Sequence, residues 1–179
     1  MANSELILRT ERLDLIAATL RHVKAELQSY SVLGDLLSAE VSGEWPPGEY
    51  DRDAQEFFRQ ELERGGQSLV GWLTWYCVAR GEPRTLVAGA GYFGPPAGRK
   101  VEIGYSVVNA ARGKGYAKEI VMALIERAFE QPTVEEVVAH TAEDNAASNG
   151  VLLACGFKRV GSGAQPRSIA YSLARNDRA

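Results

Sequence analysis

Cysteine and histidine are both scarce in this chain of 179 residues, with two of each: Cys77, Cys155, His22 and His140. Two distant thiols are too few for a disulfide scaffold, so a reducing compartment and two small buried side chains are expected. The histidines have no partner at metal-ligand spacing, and no metal is expected. His140 reads as a strand side chain rather than a catalytic base, and His22 as a residue on a helix surface. Long apolar runs are also missing. The longest nearly apolar stretch, Leu69 to Ala79, falls short of the roughly 20 residues needed to span a bilayer. The start, Met-Ala-Asn-Ser-Glu, lacks a basic region followed by an apolar one. A soluble, cytoplasmic protein with no membrane partner is the expectation. Nor is there a basic excess, because 20 Lys and Arg face 23 Asp and Glu for a net charge of −3. No global field draws nucleic acid, and any anion site must be local.

What is present is ordinary globular composition, 45% hydrophobic and 24% charged, enough for one core. A single domain over residues 1–179 is expected. Leu6 to Leu8 and Leu13 to Ile16 suit an opening strand with a polar interruption. Thr19 can cap a helix over Leu20 to Gln28, and Asp51 a second in which Ala54, Phe57, Phe58 and Leu62 recur at helical spacing. Between them lies an irregular stretch containing Trp45-Pro46-Pro47, and Trp45 is a candidate for a substrate loop. Trp72 and Trp75 read as core.

Leu69 to Arg80, Thr85 to Phe93 and Lys100 to Val108 are rich in β-branched and aromatic residues and predict an antiparallel meander. From Ala117, a stripe of Ile120, Val121, Leu124, Ile125, Ala128 and Phe129 predicts a helix that ends at Gln131-Pro132. Val134 to Thr141 reads as the next strand, a parallel neighbour of Lys100 to Val108 through a right-handed crossover. A helix over about Ala146 to Cys155 and two strands, Phe157 to Val160 and Ile169 to Leu173, complete a mixed α/β sheet.

The chemistry concentrates in VEIGYSVVNAARGKGYA, residues 101–117, where a strand runs into the best helix through Arg112-Gly113-Lys114-Gly115. Glycines let backbone N–H groups approach an anion, and the helix N-terminus adds unpaired donors and about half a positive charge. A pyrophosphate suits that turn. Taken alone, the four residues are equally a tight turn flanked by solvated charges. Gly89-Ala-Gly91-Tyr-Phe-Gly94 spells G-x-G-x-x-G but leads into Pro95-Pro96 and a strand, where a dinucleotide turn needs a helix.

Arg112-Gly113-Lys114-Gly115-Tyr116-Ala117 resembles the Q/R-x-x-G-x-G/A signature of the GNAT superfamily of acetyl-CoA-dependent N-acetyltransferases. The resemblance covers nearly the whole chain and looks closest to the RimJ/RimL-like branch, the ribosomal-protein N-terminal acetyltransferases. Its further landmarks are Leu8-Arg9-Thr10-Glu11-Arg12-Leu13, the strand Glu102-Ile103-Gly104-Tyr105, and Asn145 to Phe157. It implies a single-domain GNAT fold: a mixed, mostly antiparallel sheet with a central splayed parallel strand pair, flanked by helices.

It also implies that the amides of Gly113 to Ala117 bind the acetyl-CoA pyrophosphate, with Arg112 and Lys114 nearby and Tyr116 in the turn. Val107 and Val108 would line the pantetheine, which would use free backbone groups of Ser106 to Val108. Asn145 or Ser148 would face the pantetheine or sulfur, unless Asn145 simply caps the last helix. Glu102 is the candidate general base, and a surface strand glutamate is the alternative. A backbone N–H near Val107 would stabilise the oxyanion. Many members carry a tyrosine acid four residues before the Gly-Phe landmark. Here Leu152 stands there, which leaves Ser148 or unassisted thiolate departure.

The implied reaction is direct attack of a primary amine on the thioester. An α-amine is roughly one-seventh neutral at pH 7, against about one lysine amine in 2,500, so an α-amine asks less of a base. A protein or peptide N-terminal α-amine is one acceptor compatible with this chemistry, and protein and small-molecule acceptors both stay open. A small-molecule amine, such as a polyamine, antibiotic or toxic amine, is one alternative, and a catalytically idle acyl-CoA sensor is another. A homodimer is compatible with the sequence but not derivable from it.

Overall fold

The computed structural model describes residues 5–178; most of the Met-Ala-Asn-Ser-Glu start, residues 1–4, lies outside that range. The opening apolar pieces form two strands, β1 (Ile7–Arg9) and β2 (Leu13–Ala17), paired antiparallel around the polar Thr10-Glu11-Arg12 turn. Helix α1 (Leu20–Gln28) starts at Thr19 as expected. His22 departs from expectation. It is 3% exposed rather than on the surface, because its Nδ1 accepts the Thr19 N–H at 3.2 Å and completes a reciprocal cap. Burial lowers its pKa, against the raising effect of Glu5.

The stretch expected to be irregular contains α2 (Tyr30–Leu37) and a two-residue strand β3 (Glu40–Val41) before α3 (Arg52–Gly65), which Asp51 caps. The meander follows as β4 (Thr74–Ala79), β5 (Thr85–Tyr92) and β6 (Lys100–Val107). Helix α4 (Tyr116–Glu130) buries all six residues of the predicted stripe, each worth roughly 1.5–3 kcal/mol for its larger members. Then come β7 (Glu136–Ala142), α5 (Ala146–Ala154), β8 (Lys158–Ser162) and β9 (Ser168–Ala174).

The sheet runs β1-β2-β4-β5-β6-β7-β9-β8, with β3 parallel to β5 off that path. Only β6–β7 among the main-path neighbours is parallel, as its connection through α4 requires. One face packs against α4 and α5, and Tyr92 on it donates its hydroxyl to the Leu124 carbonyl at 2.7 Å. On the other face Gly89 lies against the rings of Tyr50 and Trp45, so the segment before α3 covers the sheet there. Cys77 and Cys155 are both free and buried, and Trp75 is fully buried, as expected. No helix among the described residues is long and apolar enough to cross a membrane.

Candidate active site

The feature that organises the site is a divergence of two strands. β6 and β7 pair only over Lys100–Ile103 and Glu136–Ala139. Beyond that point β6 stays with β5 as far as Val107↔Ala88, while β7 stays with β9 as far as Ala142↔Ser168. A wedge opens between them. On the β5 side, Phe93 N–H reaches the Glu102 carbonyl at 3.1 Å and Val108 N–H reaches the Val87 carbonyl at 3.0 Å. Peptide groups alternate along a strand, so those of Tyr105 and Val107 point into the wedge. Of the residues expected to offer free backbone groups, Ser106, paired with Gly89, and Val108, with its N–H engaged, therefore turn theirs towards β5, and Val107 alone faces the wedge. The Val107 carbonyl takes Arg112 Nε at 3.2 Å, which leaves the Val107 N–H facing the gap.

At the end of β6 the chain makes a short helical turn and enters α4 through Gly113 (φ 73°) and Gly115 (φ 80°). Side chains other than glycine are strained at such angles. Gly115 is the cap residue of α4, and it has no side chain to satisfy the first amides of that helix. Glu119 N–H already reaches back to the Gly115 carbonyl, so the donors available to an anion are those of the turn and the first helical residues. Open glycines, uncapped amides and a strand wedge leading to them fit an acyl-CoA with its diphosphate at the turn and its arm between the strands.

Three residues on the outer face of β6, Glu102, Gly104 and Ser106, line up as alternation predicts. Glu102 accepts or shares a proton with His140 Nδ1 at 2.9 Å, and the two side chains are 36% and 34% exposed. Gly104 lies under the ring of Phe93, which is 61% exposed, and Ser106 meets Gly48 of the segment before α3. His140 was expected only as a strand residue. Its role as the partner of Glu102 depends on the β6–β7 register, which brings residues 38 apart together.

On the opposite face, the Tyr105 hydroxyl lies 2.8 Å from Ser148 Oγ at the start of α5. Burial pushes Tyr105 up to about 12, so it stays protonated at neutral pH. Asn145 caps α5 by accepting the Ser148 N–H at 3.0 Å. Leu152, where many relatives of the resemblance have tyrosine, is fully buried. Tyr105 thus brings a phenol to Ser148 from a different element, which no local motif could signal.

Trp45 is not an open substrate-loop side chain. It is buried and donates Nε1 to Glu26 at 2.7 Å. Glu26 is 1% exposed and also accepts from the Tyr50 hydroxyl (2.9 Å), Gln55 Nε2 (3.0 Å) and the Tyr76 hydroxyl (2.6 Å). Burial raises its pKa and those four hydrogen bonds oppose the rise. The cluster fastens the segment that covers Ser106, and Glu44 in that segment accepts the Ala110 N–H at 2.9 Å. No group of three or more His, Cys, Asp or Glu suited to a metal occurs among the described residues.

Comparison with known proteins agrees with this geometry. The sequence model of one family, described as Acetyltransferase (GNAT) domain, matches residues 17–158. The chain is 31% identical over 122 residues to the N-acetyltransferase YjdG of Bacillus subtilis (strain 168), covering 68% of this chain and 71% of that protein. Among solved structures, RimL, a ribosomal L7/L12 alpha-N-protein acetyltransferase in complex with coenzyme A, superposes with a TM-score of 0.67 at 20% identity, over 94% of this chain and 98% of RimL. The microcin C7 self-immunity acetyltransferase MccE, in complex with acetyl-CoA and AMP, gives 0.64 at 17% identity, over 92% and 93%. These two likenesses concern the fold.

Proposed function

The chain belongs to the GNAT acetyltransferase family, an acetyl-CoA-dependent N-acetyltransferase, and on that footing we propose that its acceptor is the α-amine of a peptide or protein N-terminus, as in the RimJ/RimL-like branch. The observation that carries this reading is the exposed Glu102–His140 pair at the edge of the wedge. A partly exposed carboxylate hydrogen-bonded to an imidazole suits an amine that is already partly neutral at pH 7. The fold likeness to RimL, a ribosomal L7/L12 alpha-N-protein acetyltransferase, adds support.

Acetyl-CoA supplies the acyl group as an activated thioester. Gly113 to Ala117, with Arg112 and Lys114, would hold its diphosphate, and the peptide groups of Tyr105 and Val107 would hold its arm. Val108 sits behind them, and Val107 N–H, which faces the gap, would donate to the thioester carbonyl oxygen as negative charge develops there. Glu102 takes the proton of the attacking amine. Ser148 and Tyr105 form a hydroxyl pair that keeps a proton available for the departing sulfur, with Asn145 fixing the turn that carries Ser148.

The test is thiol release from acetyl-CoA against three acceptors: a hexapeptide with a free N-terminus and no lysine, the same peptide N-terminally blocked with one lysine added, and spermidine. The reading expects turnover with the first well above the other two. Preference for spermidine would instead identify a small-molecule enzyme, and preference for the blocked peptide a lysine acetyltransferase.

A further inference from the structure

The segment Leu8-Arg9-Thr10-Glu11-Arg12-Leu13 has no part in the chemistry described above, yet its last arginine lies against the glycine turn. Arg12 NH1 donates to the Lys114 carbonyl at 2.7 Å. Its Nε and NH2 both reach Glu119 Oε2 at 2.8 Å, and its own backbone N–H reaches Glu119 Oε1 at 2.7 Å. Thr10 Oγ1 donates to that same oxygen. The guanidinium lies over the Tyr116 ring, 4.7 Å from its centroid, and a Cβ on Gly115 would sit 3.4 Å from Arg12 NH2. Arg12 therefore touches or borders Lys114, Gly115, Tyr116 and Glu119, four residues of the turn and first helical turn.

We propose that Arg12 is a positioning residue for acyl-CoA: it braces the turn from behind and holds its amides in the arrangement that receives the diphosphate. The proposal rests on the reading of residues 112–117 as the diphosphate site. Arg12 works by shape rather than by charge. Three of its five N–H donors, one on each nitrogen, are engaged within the protein, and Glu119 neutralises it; the Glu119 carboxyl feels a raising effect of burial, but the hydrogen bonds from Thr10 and Arg12 outweigh it and hold its pKa down. A planar fork that grips a carboxylate and a carbonyl at once cannot be replaced by an ammonium. The contacts also explain how an edge hairpin distant in sequence can matter to the cofactor: α4 is clamped to the β1–β2 turn at the point where its free amides begin.

The experiment is calorimetric titration of the purified full chain with coenzyme A, for the natural protein, Arg12→Gln, Arg12→Lys and Glu119→Gln. Steady-state KM for acetyl-CoA and for S-acetylpantetheine, which lacks the diphosphate, is measured in parallel. The proposal expects both Arg12 variants to weaken coenzyme A by about tenfold, the scale of losing charge-assisted hydrogen bonds. Glu119→Gln should weaken it in the same direction, and KM for S-acetylpantetheine should stay unchanged. Unchanged affinity in Arg12→Gln overturns it. Rescue by Arg12→Lys overturns the geometric role in favour of charge. An equal loss with S-acetylpantetheine overturns it in favour of a general structural defect. Gly115→Glu separates this from failure of the underlying reading: if that variant binds coenzyme A normally, the diphosphate is not at this turn at all.

Discussion

His140 Nδ1 on β7 lies 2.9 Å from Glu102 Oε1 on β6, at the last turn of pairing before the two strands separate. The pair stands where the acyl group would be reached from the open face. Glu102→Gln preserves shape and removes the proton acceptor, so kcat should fall by about 100-fold, the lower end of general-base effects. Coenzyme A affinity, set at the other end of the wedge, should be unchanged. His140→Leu leaves the carboxylate in place and should reduce kcat less. Steady-state kinetics with calorimetry checks both, and full activity in Glu102→Gln removes it from the mechanism.

Tyr105 and Ser148 share a hydrogen bond of 2.8 Å and should behave as one unit. Tyr105→Phe and Ser148→Ala should each lower kcat with little change in cofactor binding, and the double variant should be no worse than the poorer single one. Such non-additivity is the signature of groups acting together. Additive losses would show two independent contributions.

Gly115→Glu puts a side chain at φ 80° and a carboxylate beside the expected diphosphate. Backbone strain of roughly 1–2 kcal/mol and charge repulsion act in the same direction. Coenzyme A binding should fall below detection in a titration that resolves the natural protein, with the fold retained by circular dichroism.

Glu26 makes a prediction about stability and pH. Burial raises its folded pKa above its ordinary value near 4.5, so the folded state holds this proton more tightly than the unfolded chain. Its contribution is therefore most favourable below about 4.5 and is lost as pH rises through the raised folded value. Glu26→Gln removes that titration. Its thermal midpoint relative to the natural protein should rise between pH 4.5 and neutrality, and a pH-independent difference would contradict the sign. Trp45→Phe, which removes one donor to the buried carboxylate, should destabilise by about 1.5–3 kcal/mol.

The elements that were legible in the sequence are those whose pattern is local. The stripe of α4 and the caps Thr19 and Asp51 depend on spacing within one helix. The three meander strands depend on β-branched and aromatic runs between turns. The glycine turn was legible as chemistry because strand, glycines and helix are contiguous. α2 and β3 were not, since YSVLGDLL carries an internal glycine that packs against the Ala39 carbonyl rather than a clear stripe. His22 looked exposed because a polar residue in a first helical turn normally is, and its burial follows from the cap it completes. The pairings between distant elements were illegible for a different reason. Glu102–His140 needs the β6–β7 register, Tyr105–Ser148 joins residues 43 apart, and Arg12–Glu119 joins residues 107 apart.

The central claim is that acetyl-CoA lies between β6 and β7 with its diphosphate on the α4 turn. Amide hydrogen exchange with and without saturating acetyl-CoA tests it most directly, because backbone groups line both the wedge and the turn. The account predicts slowed exchange at Tyr105, Val107 and Gly113 to Ala117, with the amides of β1 and β8 unaffected. No protection at those positions, or protection confined to another part of the chain, would contradict it.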